Sequence, residues 1–233
     1  ENEYTRTNVA NNPNTSPETL EKLSQDEDDW VRTAVAKNPN TPRDVLEELS
    51  QDEQEVIREI VARKSSVSEK ILEELSQDKE ESVRASTASN LNTPKEALER
   101  LAQDSHQEVR GSVASNPDIP LYILEELSQD KEESVRAGVA KNPNIPEEIL
   151  RKLSKDESKW IRENVAENPN TREEALQGLS QDNSENVRSA IAYNPNTPLH
   201  ILKELSQDKS ELVRMGIAQN PNTSLEILEK LNE

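Results

Sequence analysis

The sequence predicts an all-α solenoid of nine tandem two-helix repeats, each 26 residues long, with no β-sheet. Three observations predict it. Leu23, Leu49, Leu75, Leu101, Leu127, Leu153, Leu179, Leu205 and Leu231 recur every 26 residues without a slip, and an arginine column (Arg6 to Arg214) and an alanine column (Ala10 to Ala218) keep the same step. Apolar residues inside each copy stand at helical spacing, and no segment alternates with the period of two that a strand would show. A proline- and asparagine-rich punctuation, Asn-Pro-Asn-Thr-Pro in its fullest form, divides most copies into two halves.

Residues 26–51 show how each element arises. Val31, Val35 and Ala36 share one face of a first helix. Asn38-Pro39 ends it, because the residue before a proline is pushed out of the α region, and Pro39-Asn40 makes a tight turn. The spacing then predicts a second helix opened by Thr41 as N-cap with Pro42 at the first helical position, where a missing N–H costs nothing. Asp44 after Thr41, Glu96 after Thr93 and Glu174 after Thr171 complete the pattern of a capping box. Val45, Leu46 and Leu49 form the second apolar stripe, and Ser50-Gln51-Asp52 closes the unit with Asp52 placed to cap the next helix. The second helix is expected to be α, and the first is short enough to accommodate 3₁₀ geometry. The third copy departs from the pattern: Lys64-Ser65-Ser66-Val67-Ser68 replaces the asparagines and both prolines, which predicts a kink or a drifted turn there.

The unit D-x4-V-R-x2-V-A-x-N-P-N-T-P-x2-V-L-x2-L resembles the leucine-rich repeat variant (LRV) family over essentially the whole chain. That resemblance implies short α and 3₁₀ helices alternating in a right-handed superhelix, with no strand-lined horseshoe. The prototype of the family carries a cysteine-ligated iron–sulfur cluster in a separate module, and since this chain has no Cys nothing of that cluster carries over. The V-R-x2-V-A half is also similar to HEAT-like repeats.

Composition fits a thin, extended core. Apolar residues make up 31% and aromatics 2%, and the net charge is −19. Such figures alone are compatible with disorder, but disorder would not hold apolar residues in register nine times. One repeat buries too little to fold by itself, so the copies must stack and share their core. The absence of Cys excludes structural disulfides and thiolate-bound metals. No stretch approaches the roughly 18 apolar residues of a membrane span, and the acidic balance argues against nucleic acid. The expected compartment is the cytoplasm. Residues 1–233 read as a single repeat domain that is a fragment of a longer protein, or whose ends associate with other copies end to end.

Little in the sequence calls for chemistry. The arginine column resembles a phosphate ladder, but aspartates from Asp26 through Asp208 recur in equal register, and an arginine fork suits carboxylates and carbonyls between stacked units. The Asn-Pro-Asn turns are explained by local asparagine bonding. His106 and His200 lie in different columns with no nucleophile beside them, and the four glycines are isolated, so neither acid–base catalysis nor phosphate binding is expected. No cofactor and no metal are expected. Variation concentrates instead in two columns. One reads Tyr4, Trp30, Val56, Ser82, Glu108, Ser134, Trp160, Asn186, Leu212, and the other passes through Lys37, Arg63 and Tyr193. Trp30, Trp160 and Tyr193 are therefore the candidate protein-binding residues, since tryptophan and tyrosine anchor interfaces. The reading is a non-enzymatic scaffold for a protein or peptide partner with a basic patch. The alternatives are a HEAT-like enzyme, bilin lyase-like or DNA glycosylase-like, and a structural spacer with no specific partner.

Overall fold

The computed structural model describes residues 2–232. They form eighteen α-helices with no strand among the described residues. The chain divides into two units, Glu1–Ile119 and Pro120–Glu233. The first unit contains α1 (Glu3–Asn11), α2 (Pro17–Leu23), α3 (Asp29–Lys37), α4 (Arg43–Leu49), α5 (Glu55–Ala62), α6 (Glu69–Leu75), α7 (Glu81–Ala88), α8 (Lys95–Leu101) and α9 (Gln107–Ser115). The second contains α10 (Leu121–Leu127), α11 (Glu133–Lys141), α12 (Glu147–Leu153), α13 (Lys159–Glu167), α14 (Glu173–Leu179), α15 (Glu185–Tyr193), α16 (Leu199–Leu205), α17 (Glu211–Gln219) and α18 (Leu225–Leu231).

Odd-numbered helices are the first of each repeat and even-numbered the second. Within each unit the odd helices of consecutive repeats pack closely side by side, whereas the even helices stand further apart. The first helices therefore line the inner side of each unit's curve. Small residues make the close approach feasible: Ala10, Ala36, Ala62, Ala88, Ala140, Ala166 and Ala192 are fully buried. The even helices contribute the bulk of the core through triplets such as Val45, Leu46 and Leu49, all buried. This is α-solenoid packing, in which each copy borrows core from its neighbours.

Both helices of each repeat are α, and the first, at eight or nine residues, is the longer of the two. No 3₁₀ helix occurs among the described residues. The tighter i→i+3 bonding implied for whole helices occurs only at helix ends, as where Ile57 N–H reaches the Gln54 carbonyl at the start of α5 and Asn38 N–H reaches both the Ala34 and Val35 carbonyls at the exit of α3. Termination proceeds without a left-handed residue. Asn38 leaves α3 extended, at φ −60° and ψ 131°, because the following proline disfavours a further helical residue.

The opening of the second helices corrects the sequence reading. Pro42, not Thr41, is the N-cap of α4, and no side chain caps that helix. The same holds for Pro94 before α8, and Arg172 takes the place before α14, so neither Asp44, Glu96 nor Glu174 completes a capping box. The threonine faces the other way. Thr41 Oγ1 donates to the Val35 carbonyl at 2.5 Å and to the Asn38 carbonyl at 3.0 Å, satisfying orphan acceptors of the preceding helix. An extended proline has no N–H to present and leaves the hydroxyl free for this service. Serine is the residue that caps in the expected sense: Ser16 Oγ accepts from Thr19 N–H, with Pro17 at the first helical position.

The third repeat keeps its register. Its turn retains the closing bond, Val67 N–H to the Lys64 carbonyl at 3.4 Å, where the preceding repeat has Thr41 to Asn38 at 3.3 Å. Val67 is buried in the place of the threonine. The expected drift is limited to the loss of the last helical residue of α5, which ends at Ala62.

Candidate interaction surface

Two ladders tie consecutive repeats together and absorb most of the recurring polar residues. The arginine of one repeat takes the carboxylate of the aspartate twenty positions later, and from the aspartate six positions before it only the backbone carbonyl. Arg32 donates Nε to Asp52 Oδ2 at 2.7 Å and Nη2 to Asp52 Oδ1 at 3.1 Å, while Nη1 donates to the Asp26 carbonyl at 2.8 Å. Arg58–Asp78, Arg84–Asp104, Arg162–Asp182 and Arg188–Asp208 repeat the fork at 2.5–2.7 Å. Asp52 Oδ1 also accepts from Gln54 N–H at 2.9 Å, two residues on. Asp52 therefore shapes the loop into α5, and the N-cap itself is Gln54. Burial pushes the Asp52 carboxyl up, but the Arg32 fork and the loop N–H outweigh it and hold the group below its usual value.

The asparagine ladder is more deeply buried. Asn194 Nδ2 donates to the Ala166 carbonyl at 2.7 Å and the Asn168 carbonyl at 3.2 Å, and its Oδ1 accepts from Asn196 N–H at 2.8 Å. Asn38, Asn90, Asn168 and Asn220 do the same in their repeats. Lys64 occupies this register in the third repeat and, among the described residues, its Nζ reaches one acceptor, the Asn38 carbonyl, at 2.5 Å. Its half-buried ammonium is desolvated, which lowers its pKa. Among the described residues no buried side-chain nitrogen or oxygen lacks a partner.

With the frame satisfied internally, the candidate residues stand outside it. Trp30 is 72% exposed and Trp160 61% exposed, each near the start of its first helix. Tyr193, 40% exposed, lies at the opposite, C-terminal end of α15 and so is not brought together with Trp160. Its ring lies over Gly216, where an added Cβ would sit 3.1 Å from Tyr193 Cδ2 and 2.7 Å from Ala192 Cβ. Trp30 and Trp160 belong to different units. Their surroundings also differ. Trp30 shares an open cleft of about 660 Å³ with Tyr4, Thr7, Glu3, Asp28 and Asp29. Trp160 follows Lys159 and Ser158, and the preceding repeat offers Ser134 in its column. His106 lies beside Asp104 and Arg84, and His200 beside Gln177 and Glu173. Among the described residues no group of three or more His, Cys, Asp or Glu is arranged to hold a metal ion, and no helix is long and apolar enough to cross a membrane.

The family model for the leucine rich repeat variant matches residues 5–28 and 29–54, two consecutive copies of this frame. A solved leucine-rich repeat variant, described as having a novel repetitive protein structural motif, is 29% identical with a TM-score of 0.63 over 87% of this chain and 81% of that one. The two matched copies are LRV repeats. YibA of Escherichia coli is similar in fold, with 17% identity and a TM-score of 0.53 over 100% of this chain and 97% of its own. No curated protein is significantly similar to this chain in sequence.

Two recurring positions, the serine that closes the unit and the second asparagine of the turn, make structural bonds that the sequence did not specify. The serine after most second helices turns back on the helix: Ser50 Oγ donates to the Glu47 carbonyl at 2.6 Å, and Ser76, Ser128 and Ser180 do likewise. Their 26-residue recurrence was visible, but a serine before Gln-Asp reads equally as a solvated loop residue. The second asparagine of the turn also bridges repeats, as Asn196 Nδ2 donates to the Pro169 carbonyl at 2.5 Å.

Proposed function

We propose that this LRV array is a non-enzymatic interaction scaffold that binds a protein or peptide partner through exposed side chains on its first helices. One observation carries the reading. The recurring polar residues are consumed by the ladders, whereas large apolar side chains that add nothing to the core stand exposed in the variable column, Tyr4, Trp30, Trp160 and Leu212 among them. Exposed aromatics on a rigid frame lose little conformational entropy on binding, which is why they dominate interface energetics. The net charge of −19 favours a partner with a basic patch, acting mainly through faster encounter.

A displayed library of random peptides, panned against the array, tests the proposal. Synthetic copies of enriched peptides are then titrated by calorimetry against the chain and against Trp30→Ala and Trp160→Ala. A peptide family whose affinity falls about tenfold or more in either variant supports the scaffold. Failure of every enriched peptide to respond to either substitution would sink it and favour a spacer.

A further inference from the structure

Trp30 is set with a second exposed aromatic residue, Tyr4, in one cleft. Tyr4 and Trp30 occupy the same column of consecutive repeats, and α1 and α3 pack side by side. The repeat register thus brings together two rings that are 26 residues apart in the chain. Both are strongly exposed, at 72% each, so neither is needed by the core.

The charge around these rings has one sign. Glu3, Asp28 and Asp29 line the cleft, and among the described residues no basic side chain does. The two nearest arginines are committed elsewhere, Arg6 to Asp26 and Arg32 to Asp52, each through a two-point fork. Asp28 Oδ1 accepts from the N–H groups of Trp30 and Val31, which fixes the start of α3 and with it the root of the indole. The side chains of Glu3 and Asp29 make no hydrogen bond or close ion pair among the described residues, and although Asp29 lies in the field of the Arg32 guanidinium, both carboxylates keep their acceptor oxygens for a ligand. Aromatic faces attract cations through the ring quadrupole, tryptophan most strongly. A guanidinium can stack on an indole while its N–H groups address carboxylates, which a compact ammonium does less well.

We propose that the Tyr4–Trp30 cleft is an arginine pocket, taking the side chain of a basic peptide segment with its guanidinium on the indole and its N–H groups toward Asp29 and Glu3. This rests on the scaffold reading and makes it specific. Trp160 serves as the internal control, because it has Lys159 beside it and no aromatic partner in the preceding repeat.

The test is an NMR titration of the ¹⁵N-labelled chain with acetyl-Gly-Arg-Arg-Gly-amide, following the two indole Nε1–H signals, with the lysine and alanine analogues in parallel. The expected result is a saturable shift at Trp30 with Trp160 unmoved, weakened about fivefold or more by Tyr4→Ala and by Asp29→Asn. The lysine peptide should bind more weakly and the alanine peptide not at all. No saturation up to about 10 mM peptide, equal shifts at both indoles, or equal affinity for arginine and lysine would overturn the pocket. The panned peptides separate the two levels. Peptides that depend on Trp160 and not on Trp30 leave the scaffold standing while removing this cleft.

Discussion

Replacing Asn194 by alanine isolates what the buried asparagine contributes to coupling between repeats. The side chain is 3% exposed and makes three hydrogen bonds, two as donor to carbonyls of the preceding repeat at 2.7 and 3.2 Å and one as acceptor within its own turn at 2.8 Å. A neutral bond is worth about 1 kcal/mol net, and each buried group stranded by its loss costs at least as much. The expected destabilisation is therefore about 3 kcal/mol. With a urea slope of about 3 kcal/mol per molar, that lowers the unfolding midpoint by roughly 1 M, read by circular dichroism at 222 nm. Asn196→Ala is the matched control. It removes one bond, to the Pro169 carbonyl, from an exposed side chain, and should cost under about 1 kcal/mol. Asn194→Asp adds a signature in pH. Its carboxylate would face the Ala166 and Asn168 carbonyls, so its folded-state pKa is raised above the unfolded value, and stability recovers as pH falls through the folded value and is complete below the unfolded one. Equal midpoints for Asn194→Ala and Asn196→Ala, or a pH-independent Asn194→Asp, would refute the ladder as a source of stability.

Lys64→Asn should stabilise the third repeat by about 1 kcal/mol, since it removes a desolvated ammonium and restores a donor pair aimed at the preceding turn; thermal unfolding of the single variant reads it. Gly216→Ala should destabilise by about 1–2 kcal/mol, because a Cβ 2.7 Å from Ala192 Cβ forces α15 and α17 apart despite the better helix propensity of alanine; the urea midpoint checks the sign. Asp182→Asn should cost about 2–3 kcal/mol at neutral pH by breaking the Arg162 fork. Burial pushes the Asp182 carboxyl up, but the Arg162 fork outweighs it and the folded pKa is lowered, so the fork's contribution is present above the unfolded value near 3.9 and lost as pH falls through the folded one. The difference between the chain and the variant should accordingly shrink as the solution is acidified, as urea titrations at pH 6 and about pH 2.5 would show. Trp30→Ala and Trp160→Ala should each change stability by less than about 0.5 kcal/mol, because both side chains stand outside the core; a larger loss would mark them as structural.

The repeat, its helical pairing and its core were legible in the chain itself. A strict 26-residue recurrence of Leu, Arg and Ala, with Asn-Pro in seven of the nine copies, leaves only a stacked helical array, because periodicity and proline punctuation are local properties that most copies state again. Local patterns misled where a side chain had two partners to choose from. Thr41 before Pro42 looked like a cap, yet it serves the preceding helix, since the geometry of the turn puts the orphan Val35 carbonyl within its reach. The arginine was correctly read as a partner of aspartate, but the carboxylate it takes belongs to the next loop, twenty residues on, a choice made by stacking and not by spacing. The cleft was less visible still. Sequence marked Trp30 and Trp160 as equals in one variable column, and composition placed acidic residues everywhere. Tertiary structure made them unequal, by setting Tyr4 beside Trp30 with three carboxylates around them while neighbouring arginines are drawn into the ladder. A solenoid specifies its frame through what every repeat shares. Its surface depends on what adjacent repeats happen to juxtapose, and only packing decides that.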